Sequence, residues 1–156
     1  MKALLVYGNG GHTAQMIRLA RDLPIDWVYE YAIGIGDNLT ESKLDQEPYP
    51  IPVPTVSIKK PLRTLLTLPW ALATACALLV ITRPDVVITA GAGVAVPVCY
   101  VARLFGAKVV FIESWSRVNE KSLSGRFVYP VANQFFVQHE EMVKLYPNAV
   151  FVGRLG

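Results

Sequence analysis

Two strand-length apolar runs end in glycine clusters. ALLVY leads into GNGG at residues 8–11, and VVITA leads into GAG at 91–93. A strand that is apolar at every position needs both of its faces covered, and a parallel sheet with helices on either side supplies that cover. Parallel strands in turn need helical crossovers, and here strand-like and helix-like stretches alternate along the chain. The pattern predicts an α/β fold, a Rossmann-like doubly wound parallel sheet in one domain over residues 1–156.

Strands are expected at residues 3–7, 27–33, 86–90, 108–112, 134–137 and 150–152, with a short one at 56–58. Helices are expected over 11–23, 61–82, 94–105, 121–132 and 140–145. The stretch SKLDQEPYPIPVP, residues 42–54, reads as a long loop of the kind that often serves function. Residue 1 runs straight into the first strand, so neither a signal peptide nor an N-terminal anchor is expected. Cys76 and Cys99 lie in apolar helical segments with no CxxC and no Cys/His cluster. They read as buried thiols of a reduced, cytosolic-side protein without a zinc site.

The first glycine cluster stands between a strand and a helix. Glycine lets a ligand approach the backbone, and a helix N-terminus offers unpaired N–H groups and partial positive charge to a phosphate. Asn9, Gly10, Gly11 and Thr13 are therefore candidate ligand contacts, although a tight turn without a ligand would use the same residues. The dinucleotide fingerprint fits poorly, because Thr13 stands where its third small residue belongs, and no lysine completes a P-loop. His12 falls in the first turn of the helix, where a neutral imidazole able to accept a proton is expected, the alternative being a histidine that serves only structure.

The second cluster repeats the strand–glycine–helix arrangement and adds Gly91 and Gly93, unless its small residues only let the helix pack closely on the sheet. In VVFIESWSRVNEKSLSGR, Glu113 closes a strand and is a candidate general base or sugar-orienting group. Ser114 and Arg117 are candidate donors to phosphate, the alternative being a solvated loop with a surface ion pair. No role is expected for His139. The formal charge of +3 suits an anionic ligand or an acidic lipid surface and gives no sign of a nucleic-acid binder.

Nineteen residues, TLLTLPWALATACALLVIT, carry no charge. That touches the lower limit of about 17–25 residues for a membrane span. Crossing would leave the rest of the domain on the far side, and Pro69 interrupts the hydrogen-bond ladder. The helix at about 62–82 is instead expected to lie on a membrane. Thr64, Thr67, Ala71, Thr74 and Ala75 would pack on the sheet, with Leu65, Leu66, Leu68, Trp70, Leu72 and Leu79 towards lipid. Lys59, Lys60 and Arg63 would meet headgroups. A dry interface with a partner subunit is the other option.

GNGGHT, RPDVVITAGAGVAVPVCYVARLFG, VVFIESWSRVNEKSLSGR and ANQFFVQHEEMVKLYPNAVFVGRL occur in this order. Together they resemble the family of acceptor-binding, membrane-associated subunits of two-part UDP-N-acetylglucosamine transferases, including relatives in exopolysaccharide and capsule synthesis. The resemblance implies the N-terminal, acceptor half of a GT-B glycosyltransferase, inactive without a separate donor-binding subunit. It implies inverting transfer, without a metal or other cofactor, from a UDP-sugar to a polyprenyl-diphosphate-linked saccharide at the cytoplasmic face of the membrane. Carried over by position, His12 and Glu113 compete for the role of base or act as a pair. Two rival readings are a non-catalytic membrane anchor that recruits a donor-binding enzyme, and a nucleotide-binding oxidoreductase.

Overall fold

The computed structural model describes residues 1–8, 10–35, 37–44, 49–50 and 61–155, with the backbone alone at 49–50 and 61–65. Its strands are β1 (Lys2–Val6), β2 (Val28–Ile33), β3 (Tyr49–Pro50), β4 (Val86–Thr89), β5 (Lys108–Ile112), β6 (Gln134–Val137) and β7 (Val150–Phe151). The helices are α1 (Gly11–Arg21), α2 (Asn38–Glu41), α3 (Pro61–Thr82), α4 (Ala95–Leu104) and α5 (Leu123–Val128). A 3-10 turn follows at Glu140–Lys144.

The strands form one sheet in the order β3-β2-β1-β4-β5-β6-β7. Every neighbouring pair is parallel. From β1 the chain winds outward to β2 and β3, then returns past β1 to β4 and winds the other way. The winding therefore reverses between β1 and β4, and in such sheets ligands collect outside the carboxyl ends of the strands at the reversal.

Alternation along the strands divides the core. Leu4, Val6 and Val87 face one side, where they cluster with Ala75, Leu78 and Leu79 of α3, Val98 and Cys99 of α4 and Val128 of α5. Ala3, Leu5, Tyr7, Val86 and Ile88 face the other side and pack with Met16 of α1. The period of two that a pleated strand imposes thus commits each strand to both layers at once.

Several element boundaries differ from expectation for local reasons. α1 ends at Arg21, with the Asp22 N–H turning back to the Leu19 carbonyl at 3.0 Å. α5 starts later than expected because Ser122 caps it, accepting from Gly125 N at 2.8 Å. It stops at Val128: Tyr129 keeps helical geometry, but Pro130 has no N–H to carry the ladder further. Five residues at 140–144 make only a 3-10 turn, the form such short pieces commonly take. β3 falls inside the stretch read as a loop, and the strand expected at 56–58 lies outside the described residues.

The apolar helix α3 continues through Pro69, which is exposed. Ala71, Ala75, Leu78, Leu79 and Thr82 are buried at 2% exposure or less, a stripe spaced by threes and fours that packs chiefly on α4. Leu79 is therefore a core residue and not a lipid-facing one, which corrects the expectation. Leu66, Leu68, Trp70 and Leu72 point outward. The side chains of Leu65 and Arg63, and all of Lys59 and Lys60, lie outside the described residues. Among the described residues, no helix is long and apolar enough to cross a membrane.

Candidate active site at the sheet's carboxyl edge

The loop after β1 and the loop after β4 meet at the winding reversal. A β-carbon on Gly8 would overlap that of Ala92, so the two loops touch where only glycine fits. Thr89 ties them further. Its hydroxyl donates to the Val6 carbonyl at 2.9 Å and accepts from Gly91 N at 3.1 Å. Gly91 has φ of 105° and Ala92 has φ of 84°, a left-handed pair in which the alanine is strained.

His12 stands over this junction, in the first turn of α1. Its Nδ1 lies 2.8 Å from the Ala90 carbonyl oxygen. A carbonyl can only accept, so Nδ1 carries the proton, and in the neutral ring the lone pair is left on Nε2. Gly10 and Gly11 are exposed, and β-carbons there would meet nothing within 4 Å, so the outer edge of the loop is open. The first-turn amides of α1 have no intrahelical acceptor, and the turn contains no acidic residue to offset its positive end. A proton acceptor and an anion-favouring helix end therefore share one crevice.

Glu113 lies behind this crevice instead of facing it. Its carboxylate is 1% exposed and accepts from Ser114 N at 2.8 Å, Ser122 N at 3.3 Å and the Tyr146 hydroxyl at 2.8 Å. Both carboxylate oxygens are thus engaged inside the fold, so of the two candidates for the base it is His12 that keeps an unengaged acceptor atom. Burial, and after it the neighbouring Glu113 charge, push the Tyr146 phenol well above its ordinary range, so it stays protonated as the donor. The Glu113 carbonyl also accepts from Gln138 Nε2 at 2.8 Å. The group therefore organises the turn that carries Ser122 and Ser124.

That turn reaches the crevice through Ser124. A β-carbon on Gly91 would lie 3.0 Å from Ser124 Oγ and 3.3 Å from His12 Cε1, which places the hydroxyl beside the imidazole. Ser124 Oγ is also 3.4 Å from Ser122 Oγ, whose N–H binds Glu113. Glu113 is thus linked to the His12 crevice at second hand.

Other expected contacts fall elsewhere. Thr13 is 3% exposed, and its hydroxyl donates to the Gly8 carbonyl and lies 2.8 Å from Thr40 Oγ1, so it holds the loop from beneath and does not meet a ligand. Ser114 is buried, with its hydroxyl 3.0 Å from Ser116 Oγ. Arg117 pairs with Glu120 at 3.5 Å on the exposed surface, the solvated alternative. Gly91 is buried, Gly93 is half-buried in the turn before α4, and Asn9 lies outside the described residues. His139 donates from Nε2 to the Trp115 carbonyl at 2.7 Å. Among the described residues, no group of three or more His, Cys, Asp or Glu is placed to hold a metal ion.

Comparison with known proteins decides the family. The profile of the family "Oligosaccharide biosynthesis protein Alg14 like" matches residues 3–155. The chain belongs to the Alg14-like family. A UDP-N-acetylglucosamine transferase subunit alg14 of Schizosaccharomyces pombe is 31% identical over 170 residues, covering 96% of this chain and 81% of that protein. Among solved structures, Acinetobacter baumannii MurG matches with a TM-score of 0.69 at 19% identity, over 87% of this chain and 40% of its own. The UDP-GlcNAc 2-epimerase of Neisseria meningitidis matches with a TM-score of 0.74 at 14% identity, over 99% of this chain and 47% of its own. At these identities the two structures speak to the fold: the Alg14-like chain is a Rossmann-like α/β unit of the GT-B kind, spanning less than half of each.

Sequence reasoning missed Thr89, Ser124 and Tyr146. Thr89 is hidden in an apolar strand and Ser124 in a serine-rich turn. Tyr146 lies 33 residues from the carboxylate it serves.

Proposed function

We propose that the chain is the acceptor-binding subunit of a heteromeric inverting glycosyltransferase. It receives a saccharide carried on a polyprenyl diphosphate, and a separate donor-binding subunit brings the UDP-sugar. The glycine loops and the N-terminus of α1 hold the diphosphate. His12 Nε2 takes the proton from the acceptor hydroxyl as that oxygen attacks the anomeric carbon of the donor sugar. The Ala90 carbonyl keeps the ring in the tautomer this requires, while the leaving UDP is stabilised from the donor side. Leu66 and Trp70, four apart on the face of α3 turned away from its buried stripe, rest in the cytoplasmic leaflet and bring the crevice to the lipid-borne acceptor.

The observation that carries this reading is the Nδ1–Ala90 bond. It leaves a proton acceptor on Nε2 where two glycine loops meet at the winding reversal. Family membership supports the transferase-subunit role. The test is His12→Ala in the complex co-purified with its donor-binding partner, assayed with UDP-N-acetylglucosamine and a short polyprenyl-diphosphate sugar. Loss of a general base should slow transfer by about 10²–10⁴-fold and leave the complex intact. A chain serving only as an anchor would transfer at the wild-type rate.

A further inference from the structure

Among the described residues, the buried side-chain polar atoms without a hydrogen-bond partner are Oε1 and Nε2 of Gln15. The residue is 0% exposed. Buried amides in folded proteins are almost always paired, and leaving one unpaired is costly. The contrast within this chain is direct: Gln138, also buried, donates to the Glu113 carbonyl at 2.8 Å and accepts from Leu155 N at 2.9 Å.

The position of Gln15 is fixed by its neighbours on α1, an eleven-residue helix. Residues three apart share a helix face, so Gln15 stands between His12 and Arg18. His12 touches the end of β4 at Ala90, and the Arg18 guanidinium lies 5.0 Å from the centre of the Trp115 ring, just beyond β5. Gln15 therefore lies on the side of α1 turned to the carboxyl ends of β4 and β5, next along the helix from His12. Side chains three apart have β-carbons about 5–6 Å from each other, so the imidazole stands within the reach of the Gln15 side chain.

We infer that Gln15 is a specificity-determining contact for the sugar of the acceptor. On ligand binding, its amide turns from its unpaired resting place to donate to, and accept from, a hydroxyl or N-acyl group of that sugar. An amide supplies both functions at one point, as recognition of a group that both donates and accepts requires. This inference rests on the acceptor-site reading above.

The experiment uses the full chain and two probes: a short-chain polyprenyl diphosphate bearing N-acetylglucosamine, and the same lipid diphosphate without the sugar. Gln15→Met removes the amide at similar volume, and Gln15→Leu repeats the comparison should the first variant not fold. Relief of the unpaired amide should raise the unliganded Tm by roughly 2–4 °C. The wild type should bind the sugar-bearing probe more tightly than the bare one, and the variant should lose about tenfold on the first probe alone. A variant that keeps the wild-type preference for the sugar would overturn the role of Gln15 and leave the acceptor site standing. A wild-type chain that binds neither probe would overturn the acceptor site itself.

Discussion

At the scale of single residues, the crevice depends on groups whose partners differ in kind. His12 is held by one carbonyl and keeps a free lone pair, whereas Glu113 accepts from three donors and is closed off. Tyr146→Phe should therefore cost about 1–3 kcal/mol, because a buried acceptor loses one of its donors. Urea denaturation measures that loss, and an unchanged midpoint would mean the bond contributes nothing. Gly91→Ala should slow transfer, since the added carbon strikes both Ser124 and the His12 ring at a φ of 105°. Cys99 supplies a pH readout. Burial pushes its thiol up to about 12 from an ordinary 9.0. The unfolded chain thus releases this proton first, so stability contributed by the neutral thiol is complete below about 9 and falls as pH rises towards about 12. Cys76 is half-buried and not the buried thiol expected, so iodoacetamide at pH 8 should reach it in the folded chain and modify Cys99 only on unfolding; rapid labelling mapped to Cys99 itself would contradict its burial.

At the scale of elements, α3 divides into two kinds of surface. Leu79→Ala should destabilise by about 2–5 kcal/mol, as a cavity opens against α4. Exposed Leu66 and Trp70, replaced together by serine, should shift stability far less while lowering sedimentation with anionic vesicles. Equal vesicle binding would dissociate this face from lipid. The sequence made the helix and its apolar character plain, yet misplaced Leu79. An all-apolar helix carries no polar side to fix its rotation, and only the packed stripe at 71, 75, 78, 79 and 82 settles which way it faces. The glycine loops were legible because each follows an apolar strand. The inward turn of Glu113 was not, since its donors come from three separate parts of the chain. Thr13 misled for a similar reason: a hydroxyl beside a glycine loop serves a ligand or the loop, and spacing alone does not distinguish the two.

At the scale of the whole molecule, the strand order determines where a ligand collects. The winding reverses between β1 and β4, and the loops leaving those strands carry His12 and Gly91. The chain spans 40% of the MurG polypeptide it matches. The central claim is that the acceptor diphosphate sits on the open outer edge of the first glycine loop, at Gly10, Gly11 and the N-terminus of α1 beside the junction with the second loop. The most direct test is photo-crosslinking of the wild-type chain with a polyprenyl diphosphate sugar carrying a diazirine on the sugar, followed by mapping of the labelled residues. Labels within residues 8–18 and 90–93 are the predicted result. Labels confined to the far edge strands β6 and β7, with none on either loop, would contradict it.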